Sequence, residues 1–561
     1  VPERLRDLLA DVAAMLLGVA AFFAFCGWWV LLPDNIAWLD HGDRAMHQLG
    51  WMFFRDAPWG WPPGRSPALG LELSSSIALV DGLPLLALPF KLIEHWLPRP
   101  FQYFGFWLLA SFALQALFAA RIARELGTGR AMALVAAGFA LLTPAFLFRV
   151  PLHLALSGHW VVLAALYLHV RRAPPAPWMW PLLAGLTAAI HATLLAMVLA
   201  LWSAAWLQRL LLKRLSMARA VGEPALVAAV TLGVLWAVGF FGTMSYGTYG
   251  YGSYKLNLLW PVLRYGWSQL VPDWPHGRFD YEGLSFLGIG IFMLLALAVL
   301  SGAVLRLRVL LTRRWLPLVV TALALMGFAF SRVLSLGATD ILEIDMPRFV
   351  DSLGSAFRST GRFVWPLLYL ISIGTVVLVA RRLPRAALPL ALLALLAQAV
   401  DSAPAWRLFA ASQPKPAATW ASPLVSPLWE RAVAAGYDRI RAIPARLMNP
   451  DWRALGYFAV THGMATDAVY LGRVDARALH ALRVRNTAML ASGAFEPRTL
   501  YVLDVPSALH ILPVAGPDDL LAIVDGRIVF ARGGARLAEG LGLGGGGSWL
   551  PAVAYGGSRT D

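Results

Sequence analysis

Residues 12–32 read VAAMLLGVAAFFAFCGWWVLL, with no acid or base among them. As an α-helix rising 1.5 Å per residue, such a run is about 30 Å long, the thickness of a bilayer's hydrocarbon core. Runs like it recur, and the whole chain shows why. Of its 561 residues 59% are hydrophobic, 12% aromatic and only 14% charged, whereas a soluble domain carries about 25% charged residues. The sequence therefore predicts an α-helical polytopic membrane protein. Hydropathy marks eleven spanning segments, at 12–32, 102–120, 131–148, 154–170, 177–190, 191–208, 224–241, 283–304, 315–334, 363–380 and 386–400.

Charge sets the expected orientation. The 47 Lys+Arg against 32 Asp+Glu give a formal +15. The short basic loops fall on one side: Arg4 and Arg6, Arg121 to Arg130, Arg171–Arg172, Arg209 to Arg219, Arg306 to Arg314 and Arg381 to Arg385. The positive-inside rule makes that side cytoplasmic, so the excess calls for no nucleic acid. The expected location is a bacterial inner membrane, N-terminus cytoplasmic and C-terminal part periplasmic. The first run is too long for a signal-peptide core and is read as a retained helix. Cys26 is the single cysteine, which rules out disulfides within the chain and thiolate metal clusters.

Opposite the basic loops lie longer segments, 33–101, 242–282 and 335–362, and the tail. Segment 77–97 is apolar, but Asp81, Pro84, Pro89, Lys91 and Glu94 favour a re-entrant or interfacial helix over a spanning one. Residues 1–400 form the expected transmembrane domain, and the Pro- and Ala-rich 401–420 a linker. Within 421–537, DWRALGYFAVTHG and DARALHALRVRNTAML read as helices, DAVYLGR as strand-like, TLYVLDV as a strand and LLAIVDGRIVFAR as a hairpin about Asp525-Gly526. That alternation predicts a small periplasmic α/β domain, followed by a flexible Gly-rich tail at 538–561.

The polar residues on the outer side are the candidate site. Asp40 and Asp43 open the first outer loop and would share a face if it were helical. An acidic pair there suits acid–base work or a divalent cation; loop carboxylates facing water are the simpler account. His47 follows on the same stretch as a substrate contact. His159 and His153 sit where two apolar segments meet, suited to substrate or to interhelical hydrogen bonding. The Gly- and Tyr-rich stretch from 242 to 266 carries Tyr246, Tyr249, Tyr254 and Lys255, rings fitted to a sugar or to the headgroup layer. Glu282 ends an Asp/His/Glu cluster whose spacing fits no strong metal pattern. Arg358 and Arg362 are four apart, a spacing that would put two guanidinium groups on one helical face for a lipid phosphate.

Ordered motifs add a resemblance. Ser76-Ile77-Ala78-Leu79-Val80-Asp81-Gly82-Leu83-Pro84, Phe101-Gln102-Tyr103-Phe104-Gly105, Tyr281-Glu282-Gly283-Leu284-Ser285-Phe286-Leu287-Gly288 and the run from Arg358 to Pro366 resemble the bacterial DUF6311 family. The long acidic first loop, many spans and outer C-terminal domain resemble, more distantly, the GT-C superfamily of membrane glycosyltransferases. The resemblance implies transfer of a sugar from a polyprenyl-phosphate carrier to a periplasmic glycan or lipid acceptor, among membrane lipids. It implies an aspartate of the first outer loop as base, a placement that Asp40 and Asp43 both match, with Asp43 favoured and Asp40 as its partner, and a divalent cation, Mg or Mn, as an optional cofactor. The expected reaction is inverting, with Arg358 and Arg362 on the departing phosphate. A lipid-linked saccharide flippase and a non-catalytic envelope-assembly scaffold are the alternatives.

Overall fold

A computed structural model describes residues 2–73, 75–242, 250–472 and 474–541. The chain forms two compact units. The first comprises 1–38, 98–235 and 247–418, and the second 39–97, 236–246 and 419–561.

The expectation of about eleven spanning helices is corrected. Among the described residues, five helices are long and apolar enough to cross a bilayer: Glu3–Cys26, Phe104–Glu125, Ala192–Leu211, Met217–Ala237 and Thr360–Arg382. Counting bent pairs as single spans gives up to seven, adding Ile289–Leu300 with Ala303–Leu311, bent by 78°, and Ala387–Asp401 with Ala403–Ala411, bent by 50°. The other four apolar segments fold as the shorter helices Arg130–Leu141, Leu154–Val170, Met179–Ala188 and Leu316–Ala329. A hydropathy sum does not register backbone breaks. Pro144 opens a new turn just after Leu141, and extended His191 caps Ala192–Leu211 by accepting from the Thr193 N–H at 3.0 Å. A 12-residue helix reaches only about 18 Å. Arg130–Leu141 is buried over most of its length, so its apolar character comes from packing inside the unit rather than from contact with lipid.

The first unit gathers the basic loops at one end. Arg121 pairs with Asp11 at 2.7 Å and Arg130 with Asp7 at 2.9 Å, while Arg124 contacts both aspartates. Arg381 donates to the Leu126 carbonyl, Gln208 to that of Arg314 at 2.5 Å and Arg382 to that of Ser301 at 2.7 Å. At the opposite end of the Phe104–Glu125 helix, Gln102 donates to the carbonyls of Val30 and Leu32, each at 2.8 Å. A hairpin of β1 (Val333–Leu336) and β2 (Thr339–Glu343) follows the Leu316–Ala329 helix; its first two residues fall at the end of the apolar segment read as 315–334.

The second unit contains a five-stranded sheet of β3 (Arg439–Ile443), β4 (Ala465–Thr466), β5 (Thr499–Leu503), β6 (Leu520–Val524) and β7 (Arg527–Ala531), in the order β4-β3-β5-β7-β6. β3 runs parallel to β4 and β5, and β7 antiparallel to β5 and β6. Asp525 and Gly526 both take positive φ between β6 and β7, the geometry a two-residue hairpin turn requires. The segment 39–97 joins this sheet. Leu69 bridges Thr466 in parallel, with the Gly70 N–H donating to the Thr466 carbonyl at 2.8 Å. Glu72 receives Arg441 of β3 at 2.7 Å and Arg485 at 2.6 Å. Arg441 also pairs with Asp467 and Glu496. Segment 77–97 forms the helix Pro84–Leu92, nine residues long, too short to span. Buried Lys91 donates to the Phe54 and Ala57 carbonyls at 2.5 and 2.7 Å, closing the C-terminal end of the Gly42–Asp56 helix.

Burial raises the pKa of Glu72, but hydrogen bonds from Arg441 and Arg485 outweigh it and hold the carboxyl at about 2. The unfolded value is about 4.3. Its stabilisation is therefore complete above the unfolded value and is lost as pH falls towards 2. Thermal unfolding followed from pH 7 down to pH 2 should show an acid-side loss of stability that Glu72→Gln makes shallower; an unchanged acid limb would remove this ion pair from the account.

Candidate functional site

Three segments of the first unit converge through glycine. A Cβ at Gly283 or at Gly361 would lie 2.7 Å from the Lys255 carbonyl oxygen, so only glycine permits this backbone approach. The Gly361 N–H donates to the Tyr254 carbonyl at 3.1 Å. The turn Asp280–Gly283 is held by the Asp280 carboxylate, which accepts from the Gly277 N–H at 3.0 Å and from Asn257 Nδ2 at 2.8 Å. Glu282 and Arg362 are thereby brought face to face. A second arginine, Arg149, reaches the same carboxylate from the broken backbone after the Pro144–Leu147 turn.

One carboxylate oxygen is the hub. Glu282 Oε2 accepts from Arg149 Nη1 at 2.8 Å, Arg362 Nη2 at 2.7 Å and Arg362 Nε at 3.0 Å. Arg149 Nη2 also donates to the Glu282 carbonyl at 2.8 Å. Arg149 is 2% exposed and Arg362 8%. Burial raises the Glu282 pKa, but the charges of Arg149 and Arg362 overcome that and hold the carboxyl well below the usual carboxylate range. Burial lowers Arg149 to about 10, with Glu282 opposing. Two guanidinium groups thus face one carboxylate. Arg149 Nε, Ser285 Oγ, Thr360 Oγ1 and Trp365 Nε1 are buried on the same segments without hydrogen-bond partners among the described residues.

An aromatic wall adjoins the cluster. The Arg149 guanidinium lies 5.6 Å from the Trp365 ring centre, and the His159 ring 3.9 Å from it. Tyr369 accepts from Gln115 at 2.7 Å and lies 2.7 Å from His159 Nδ1, an arrangement in which the hydroxyl donates to that nitrogen.

Lys255 pairs with Asp340 at 2.7 Å. The Arg358 guanidinium sits 5.7 Å from the Tyr254 ring, which packs edge-on to Phe279. Arg358 and Arg362 do not share a helical face as their spacing suggested. The helix Arg348–Phe357 ends before Arg358, whose φ of 61° breaks the run. Tyr246 and Tyr249 lie outside the described residues.

Asp40, Asp43 and His47 belong to the second unit. Asp40 precedes the Gly42–Asp56 helix and Asp43 lies in its first turn, so the two do not share one helical face. Asp40 receives Arg453 at 2.8 Å, and burial raises its pKa despite that arginine. Asp43 is half-buried. A donor atom of His47 and a carboxylate oxygen of Asp81 lie within 4.8 Å of one another. They supply one imidazole and one carboxylate towards a divalent cation, a mixed set better suited to Mn than to Mg.

Sequence reasoning missed Arg149, Asp340 and Asp81 as members of these groupings. Arg149 had a readable signal: it is the first charge after the uncharged run 131–148, and an ionisable residue in such a setting marks a functional position by default.

Spanning helices, short buried apolar helices and a C-terminal domain with a sheet define a multi-pass membrane protein. The chain belongs to the DUF6311 family: the model of that domain of unknown function matches residues 15–403, and the model of the DUF6311 C-terminal domain matches residues 428–532. No curated protein matches it.

Replacing Glu282 by Gln removes the carboxylate that both arginines share. Breaking a buried ion pair costs about 3–5 kcal/mol, so Glu282→Gln should lower the thermal midpoint in detergent by a few degrees. A midpoint equal to that of the native chain would show that the cluster is not structurally coupled.

Proposed function

We propose that the protein is an inverting glycosyltransferase that moves a sugar from a polyprenyl-phosphate carrier to a periplasmic glycan or lipid acceptor. The observation that supports this reading is the charge balance at Glu282: two buried guanidinium groups to one carboxylate, with the buried Arg149 Nε–H unpartnered among the described residues. Buried charge is costly unless compensated, and a carrier phosphate supplies the second anion as well as acceptors for the unpartnered donors. The basic end is then cytoplasmic, and the end bearing Glu282 faces the periplasm.

In this reaction the acceptor hydroxyl attacks the anomeric carbon, the new C–O bond forms and the bond from that carbon to the phosphate oxygen breaks. The electron pair leaves with the carrier phosphate, where Arg149 and Arg362 stabilise the growing charge. The acceptor proton passes to a carboxylate. Assigning that role to Asp43, with Asp40 as partner, rests on the resemblance to GT-C enzymes alone. His159, Tyr254, Lys255, Arg358 and Glu282 surround or organise the phosphate end. His47 is assigned to the acceptor, and with Asp81 to any divalent cation.

Full-length protein in nanodiscs, supplied with a fluorescent polyprenyl phosphate and its glycosylated form, tests the two halves separately. Arg362→Gln should weaken carrier binding by about tenfold or more. Asp43→Asn should keep carrier binding while cutting transfer by about 10²–10⁴. Carrier binding unaffected by Arg362→Gln would sink the phosphate assignment, and native turnover in Asp43→Asn would sink the base. Movement of labelled carrier across liposomes without a new glycosidic bond would favour the flippase.

A further inference from the structure

The basic end of the first unit holds a second concentration of positive charge, formed by different residues. A cavity of about 700 Å³ opens between the segment after the Trp160–Val170 helix and the turn joining Ala192–Leu211 to Met217–Ala237. Arg171, Arg172, Arg209, Arg214 and Arg219 line it, and among the described residues Glu223 is its only acidic lining residue. Glu223 is already committed: it takes both Arg209 nitrogens, at 2.5 and 2.9 Å, and the Trp202 indole N–H at 2.9 Å. Arg171 contacts the Met179 sulfur at 3.2 Å and the Tyr167 ring.

The guanidinium groups of Arg172, Arg214 and Arg219 have no acidic partner among the described residues. The nearby acid Glu125 accepts instead from the Arg172 backbone N–H, at 3.0 Å. Positive-inside bias accounts for arginines at this end of the unit, but not for their gathering about a concavity. Their neighbours show the contrast, since Arg121, Arg124 and Arg130 are each paired with Asp7 or Asp11. Pro174, Pro175 and Pro177 line the same cavity, and their fixed φ stiffens its wall. Like charges held about one hollow repel unless an anion is shared among them, and the planar guanidinium fork matches phosphate and carboxylate oxygens in bidentate geometry; at a membrane surface the abundant anion is the lipid phosphate.

We propose that this cavity is a binding site for a phosphate-bearing ligand, separate from the Arg149–Glu282–Arg362 cluster. The phosphate belongs either to an anionic lipid headgroup at the membrane surface, where basic pockets between helices are placed to take one, or to a soluble phosphate ester.

The full chain, delipidated in detergent, is titrated in separate arms with cardiolipin, phosphatidylcholine and inorganic pyrophosphate, with occupancy read by native mass spectrometry. Cardiolipin or pyrophosphate should bind saturably and weaken with salt. The double variant Arg214→Gln/Arg219→Gln should weaken that binding by about tenfold or more, and Arg214→Lys/Arg219→Lys should recover part of it. Binding by cardiolipin alone assigns the phosphate to a lipid, and binding by pyrophosphate to a soluble ester. Both substituted side chains are exposed, so the thermal midpoint should not move and lost binding cannot be ascribed to unfolding. Equal retention of all three probes, or anion binding indifferent to the double variant, overturns the proposal.

Discussion

A single carboxylate oxygen, Glu282 Oε2, takes three N–H donors from Arg149 and Arg362. That interaction unites segments far apart in sequence, and much of the local backbone serves it. Gly283 and Gly361 allow the approach to Lys255, Asp280 fixes the turn that carries Glu282, and the broken helix at Pro144 releases Arg149 from an apolar run. The cluster sits at the start of the Thr360–Arg382 span. A buried ion pair of this kind adds little net stability compared with an apolar core, because desolvation offsets the attraction. Its two guanidinium groups to one carboxylate are the observation on which the proposed phosphate binding rests.

The membrane character and the C-terminal sheet domain were legible because both rest on local pattern: long uncharged runs for one, alternating residues and Asp525-Gly526 for the other. The number of spans was not. Runs such as 131–148 are apolar because they pack inside the unit, and hydropathy cannot distinguish that from contact with lipid. The interior strand β3 carries no strand signature, since RIRAI (Arg439–Ile443) has two arginines, and Arg441 is buried only because Glu72, Asp467 and Glu496 surround it.

Site residues show the same division. Glu282, Arg362, Lys255 and Tyr254 were visible as polar residues without a membrane rationale, and the fold brings their segments together. The helical spacing of Arg358 and Arg362 misled, because spacing implies a shared face only where the helix continues, and Arg358 ends it. The partnership of Asp40 with Arg453 and of Glu72 with Arg441 and Arg485 depends on residues several hundred positions away. No local pattern encodes it. Through these contacts segment 39–97 is part of the same compact unit as the C-terminal sheet.

The most direct measurement is a cryo-EM map of the full-length protein in nanodiscs with polyprenyl phosphate added. The account predicts phosphate density within hydrogen-bonding distance of the Arg149 or Arg362 guanidinium, absent from the same preparation of Arg362→Gln. A carrier bound elsewhere, with Arg149, Glu282 and Arg362 sealed against one another, would contradict it.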